Sequence, residues 1–175
     1  MNTPSPEDAL ETSQTVDLDT VAAHLIERLQ AFDNLLPQPG DAAGFSPEFF
    51  DALYTLGVRY YANRQYDKAH PIFRMLCQLQ PIEVRHFKAW GANYLGTRDY
   101  RSAVNAYACA YMLSATDADT SFYLGQAFFF LKEYEEAAGH LRYARELAQR
   151  NPALWPGIEA WAGQLLERID ARQQT

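Results

Sequence analysis

The stretch LYTLGVRYYANRQYDKAHPIF, residues 53–73, returns as FKAWGANYLGTRDYRSAVNAY at 87–107 and as SFYLGQAFFFLKEYEEAAGHL at 121–141. Gly57, Gly91 and Gly125 fall in one column, Tyr66, Tyr100 and Tyr134 in a second, and Ala69, Ala103 and Ala137 in a third, each at a spacing of 34 with no insertion. Self-similarity at a fixed period of this length signals a stacked-repeat architecture. One such unit cannot bury its apolar face alone, so neighbouring units must cover one another.

The period and its columns define the unit. A large apolar residue, x2, Leu-Gly, x2, Tyr, then Ala-x3-Phe and Pro over 34 residues is the tetratricopeptide pattern. Repeat one supplies Leu53, Leu56, Gly57, Tyr60, Ala69, Phe73 and Pro81. Repeat two supplies Phe87, Trp90, Gly91, Tyr94, Ala103 and Tyr107, and repeat three Leu124, Gly125, Phe128, Ala137 and Leu141. The small residues let two antiparallel helices approach, and the large ones fill the space between units. The closing proline is Ala115 in repeat two and comes late, as Pro152, in repeat three. The expected fold is all-α, a tetratricopeptide solenoid of three helix-turn-helix repeats (50–83, 84–117 and 118–151, within 46–152) with N-terminal and C-terminal flanking helices. Pro71 sits inside the second helix of repeat one, where it deletes the bond to the Asp67 carbonyl; a kink is expected there, not a break.

The flanks read separately. Residues 1–16 are Pro, Ser, Thr and acid with little to bury, and are expected to be a disordered tail. Over 17–36 the stripe Leu18, Val21, Leu25, Leu29 and Phe32 predicts an amphipathic helix, and the Pro- and Gly-containing 37–45 a linker. Ser46 and Pro47 then read as an N-cap and first helical residue. After Pro152 a capping helix is expected over 153–172, with Trp155, Ile158, Trp161, Leu165 and Ile169 on one stripe. The helix at 17–36 must fold back on the repeats or pair with a second copy, and a weak homodimer is expected.

Composition narrows the function. A chain of 175 residues is one domain by length. Its net charge of −7 argues against nucleic acid or an anionic membrane as main partner, since both need a basic face. The longest apolar run, Ala106 to Leu113, is far short of the ~18 residues that suggest a membrane span. No Lys or Arg precedes Arg28, which is not the pattern of a secretory signal. A cytoplasmic protein with two reduced core thiols, Cys77 and Cys109, is expected. The histidines, His24, His70, His86 and His140, lie on four different helices without metal or general-base spacing, and the default is a surface or partly buried side chain. Phosphate loops, nucleophile elbows and dinucleotide fingerprints are absent, so no catalytic residue, metal or cofactor is expected.

The informative surface is the second face of each repeat's first helix, which lines the inner wall of a solenoid. Polar residues are expected there in a purely structural protein. The wall instead reads Tyr54, Val58 and Tyr61 in repeat one, Arg85, Lys88, Ala92 and Leu95 in repeat two, and Phe122, Gln126 and Phe129 in repeat three. Two readings stand. The aromatics are extra core beneath the terminal helices, or they line a groove that takes a short peptide, with two cations midway.

The Leu-Tyr-x-Leu opening at 53–56, the Gln-Tyr-Asp-Lys-Ala-His turn at 65–70 and the Phe-x-x-Leu-Cys-x-Leu close at 73–79 resemble the class II chaperones of type III secretion systems. The resemblance runs from about Ser46 to Asn151. The Pro-rich stretch Pro37-Gln38-Pro39-Gly40-Asp41 replaces a Gly-rich one common in that family, and Phe128-Phe129-Phe130 is more aromatic than its pattern. The resemblance implies a non-enzymatic cytoplasmic chaperone of a Gram-negative bacterium, whose partners are hydrophobic translocator proteins held by a short Pro-x-Leu-x-x-Pro segment. It also implies dimerisation through the N-terminal helix. The alternative is a generic tetratricopeptide adaptor that holds a partner's C-terminal carboxylate with Lys88 and Arg85. Such clamps usually add an Asn, and Asn93 is offset away from the wall.

Overall fold

A computed structural model describes residues 44–173. Within them are seven helices and no strand: α1 (Pro47–Ala62), α2 (Tyr66–Leu79), α3 (Val84–Thr97), α4 (Tyr100–Leu113), α5 (Ala118–Leu131), α6 (Tyr134–Arg150) and α7 (Ile158–Gln173). The tail 1–16, the helix expected over 17–36 and most of the linker lie outside the described residues.

Several helices start on a side-chain cap. The Ser46 hydroxyl accepts from the Phe49 amide with Pro47 in the first turn, and the Asp99 and Asp117 carboxylates accept amides in the first turns of α4 and α5. The first helix of each repeat ends on a cation in the left-handed region, Arg64, Arg98 and Lys132, with φ of 58°, 63° and 66°. Glycine or asparagine takes this position most easily. A cation there is compensated by the negative end of the helix dipole. The second helix of repeat one runs unbroken through Pro71.

The paired helices pack through the small columns. Ala69, Ala103 and Ala137 are fully buried. A Cβ on Gly57 would lie 2.6 Å from Cε1 of Phe73, and one on Gly125 2.8 Å from Cγ of Leu141. Only glycine fits such contacts. Helices α1, α3 and α5 lie side by side as one layer, and each repeat's second helix backs its first. Ion pairs stitch successive repeats: Arg85 to Asp51 at 2.6 Å, Lys88 to Asp117 at 2.7 Å, and Arg101 to Glu133.

The C-terminal end differs from the expectation. Residues 153–157 are turn, and α7 begins at Ile158. Pro152, Pro156 and Gly157, whose φ is +85°, hold the chain out of the helix and leave Trp155 ahead of it. From Ile158 onward, Ile158, Leu165 and Ile169 of the expected stripe are buried against α5 and α6 with Ala162 and Leu166 beside them, whereas Trp161 is 48% exposed. The thiols also divide: Cys77 is buried and Cys109 is exposed on α4, so only the first is a core thiol. Burial raises the Cys77 pKa and keeps it protonated.

Candidate functional site

The inner layer is built from the faces of α1, α3 and α5 opposite their motif columns. On α1, Tyr54 and Tyr61 are half-buried and Val58 is 39% exposed. The Tyr54 ring lies 5.7 Å from the His86 ring and beneath the Arg85 guanidinium, 5.0 Å away. On α3, Lys88, Ala92 and Leu95 are half-buried and Arg85 is exposed, and Gln126 on α5 is half-buried. Together they present aromatic and aliphatic side chains, with the charged Arg85 and Lys88 and the polar Gln126 among them.

Phe122 and Phe129 require a correction. Each is 4% exposed and belongs to the core that α5 and α6 share with α7. The Phe122 ring lies 6.1 Å from the ring of Trp161, and the Arg168 guanidinium sits 4.9 Å over Phe129. The terminal helix covers that face, so these two phenylalanines are core between α5 and α7. Trp161, 48% exposed on α7, is the aromatic left at that end.

The two cations are corrected as well. Lys88 Nζ reaches Asp117 at 2.7 Å and Asp119 at 3.4 Å, and Arg85 holds Asp51. Burial works against the charge on Lys88. The hydrogen bond to Asp117 and the charges of Asp117 and Asp119 together outweigh it, and the pKa is raised. Neither cation stands open for a carboxylate. Asn93, the third group a carboxylate clamp needs, is buried. Lys88→Glu therefore acts first on the fold, because it places three carboxylates together at the junction of repeats two and three. We expect a loss of about 1–3 kcal/mol in urea unfolding, between the exposed and fully buried cases, and a smaller loss for Lys88→Gln.

Sequence reasoning missed a layer of phenols beneath the wall. Tyr107 is fully buried and stacks on Tyr123, with ring centres 5.7 Å apart and planes 15° from parallel. Burial raises the pKa values of Tyr107, Tyr123 and Tyr61, and the charge of Asp119 adds to the effect at Tyr107 and Tyr123. All three stay neutral, able to donate or accept a hydrogen bond. One signal was available: Tyr107 occupies the column that Phe73 and Leu141 fill, so its hydroxyl is surplus to packing.

His86 also departs from the expectation of a surface or partly buried histidine. It is fully buried, neither ring nitrogen has a well-formed hydrogen bond, and the Leu76 carbonyl favours its charged form only weakly. Burial, then the adjacent Arg85 charge, push its pKa down to about 4. An unfolded chain protonates this imidazole near ~6.5. Between those values the unfolded state binds more protons, so stability rises with pH. The contribution is whole above about pH 6.5 and is lost as pH falls towards 4, amounting to roughly 3 kcal/mol at ~1.4 kcal/mol per unit. Urea midpoints measured from pH 7 to pH 4 check this, with His86→Leu expected to flatten the slope. His140, whose pKa burial also lowers, supplies a remainder of the same sign.

Among the described residues no His, Cys, Asp and Glu cluster can hold a metal, and no helix is long and apolar enough to cross a membrane. No family model matches the chain. The low calcium response locus protein H of Yersinia pseudotuberculosis is 24% identical over 129 residues, covering 74% of this chain and 76% of that protein. A type III secretion complex from Aeromonas hydrophila superposes with a TM-score of 0.74 at 28% identity, over 85% of this chain and 99% of that one. PcrH of Pseudomonas aeruginosa, solved in complex with the chaperone-binding region of PopD, gives 0.71 at 28% identity over 74% and 97%. Three repeats in one register, a capping helix on the last and these relatives agree: in sequence and in fold the chain resembles the class II chaperones of type III secretion systems.

Proposed function

We propose that this protein is a cytoplasmic chaperone that holds a short segment of a hydrophobic translocator against the α1–α3–α5 wall and keeps that client soluble for export. One observation carries the reading: an apolar wall with neutralised cations, matched in fold by PcrH, which has been crystallised with the chaperone-binding regions of PopD and PopB. The contacts would come from Tyr54, Val58, Tyr61, Ala92, Leu95 and Gln126, with Phe122 and Phe129 acting only as support. A translocator's membrane-inserting segments are insoluble in water until covered, and binding alone, without catalysis, meets that need. The half-buried, neutral phenols of Tyr61 and Tyr123 suit the backbone groups of an extended peptide. Co-expression with a hydrophobic translocator tests it. Wild type should leave the client in the supernatant and Val58→Glu should let it precipitate while itself staying folded; a client soluble without the chaperone, or equally soluble with Val58→Glu, would refute the reading.

We further propose that the segment 17–36 pairs two copies, because its apolar stripe is too large to leave in water. Light scattering should then report a dimer for the full chain and a monomer for a chain beginning at Ser46. A dimer that survives the truncation would place the contact elsewhere.

A further inference from the structure

A cleft of about 700 Å³ opens where the junction of repeats two and three meets the turn before α7. Its volume is within the roughly 300–1,000 Å³ of pockets that bind ligands. Lys88 and Asp119 stand on its rim, and Leu147, Leu154 and Trp155 form its apolar side. Lys88 is also a wall residue of the groove, so the two surfaces are continuous at that point.

The charged groups of the cleft are already engaged. Asp117 Oδ1 accepts from the amides of Asp119 and Thr120, and Asp117 Oδ2 from the Thr120 hydroxyl at 3.1 Å and Lys88 Nζ at 2.7 Å. Arg150, on the far side, pairs with Glu146 at 2.5 Å. No charge is left over to hold a phosphate or a carboxylate. The apolar part is in the opposite condition. Leu154 is 59% exposed beside a half-buried Trp155, on a turn fixed by the Leu154 amide donating to the Asn151 carbonyl. A leucine presented to water on a fixed turn, next to an indole and above buried Leu147, is a seat for another apolar side chain.

We propose that this cleft takes a second anchor of the same client: a leucine- or phenylalanine-sized side chain on the stretch of client that leaves the groove past Lys88. The assignment rests on the groove reading above and adds to it a longer footprint with two apolar anchors. A client carrying only the groove segment would forgo the second anchor.

Calorimetric titration with two probes tests the assignment. One is the chaperone-binding region of PopD alone, and the other is the same region extended by about twelve native residues at each end. Wild type should bind the longer probe on the order of ten-fold more tightly, the lower range of a single apolar anchor's effect. Leu154→Asp, a change at an exposed turn, should abolish that gain and leave the short probe's affinity as it was. Val58→Glu should weaken both probes. Equal affinity of wild type for the two probes, or a gain that survives Leu154→Asp, would overturn the second anchor and leave the groove standing. If neither probe binds wild type, both readings fall. A change of oligomeric state in Leu154→Asp without client would assign the cleft to a second copy of the chain, also overturning the proposal.

Discussion

Gly91→Leu should leave the protein unfolded under conditions where wild type is folded. A Cβ at this position would lie 2.7, 2.8 and 2.9 Å from Cε2, Cδ2 and Cζ of Tyr107. That ring is 1% exposed and stacked on Tyr123, so it cannot swing aside without breaking the contact between repeats two and three. Overpacking a core by a methylene group or two costs about 1–3 kcal/mol, and a leucine brings four carbons. The loss would therefore be several kcal/mol, out of a total stability of about 5–15 kcal/mol. Gly139 is the matched control. It lies on an exposed face of α6, and an added Cβ would meet nothing within 4 Å. Gly139→Ala should stabilise by up to about 1 kcal/mol through helix propensity and a less flexible unfolded chain, raising Tm by about 2–4 °C. Thermal and urea unfolding of the two variants read both signs. A Gly91→Leu protein that melts with wild type would contradict the packing of α3 on α4.

The second large effect separates support from surface. Phe122→Ala and Phe129→Ala should each cost about 3–5 kcal/mol of stability, because each leaves a cavity between α5 and α7. Val58→Ala, at a 39%-exposed position, should stay within about 0.5 kcal/mol. Client affinity should divide the other way. Val58→Glu should weaken binding by about 1–3 kcal/mol with Tm little changed, and Tyr61→Ala should weaken it too but also cost stability, since its ring packs on Tyr66 and the repeat-one core. Tyr54→Ala should show part of each loss, since its ring also packs near Phe73 and His86. Melting curves for the phenylalanine variants that match wild type would remove them from the core and return them to the groove.

How much of this could be read from sequence depends on the range of the contact involved. The repeat was legible because a glycine facing a large apolar side chain is a contact that each unit must remake, so Gly57, Gly91 and Gly125 recur in register. The double-faced apolar character of α5 was legible too. What covers it was not, because the contact between Phe122 and Trp161 depends on where a helix almost forty residues on comes to rest. The partners of Lys88 were hidden for a similar reason. Asp117 and Asp119 lie 29 and 31 residues away, on either side of a repeat boundary, outside the i,i+4 spacing by which charge pairs are found along one helix. His86 and Cys109 exchanged their usual environments, the histidine buried and the thiol exposed. Average burial by residue type does not resolve single positions on helices packed from two sides. The late start of α7 was signalled by Pro152, Pro156 and Gly157, but the stripe through Trp155 suggested continuity.

The most direct test of the account asks where on the chain a client sits. The affinity of a translocator's chaperone-binding region should be measured for wild type, Val58→Glu and Met112→Glu, with Tm recorded for each. Val58 is on the inner wall, and Met112, 86% exposed on α4, lies on a repeat's second helix, outside that layer. The account predicts at least a ten-fold loss of affinity for Val58→Glu at unchanged Tm, and wild-type affinity for Met112→Glu. Wild-type affinity in Val58→Glu, with the loss appearing in Met112→Glu, would contradict it.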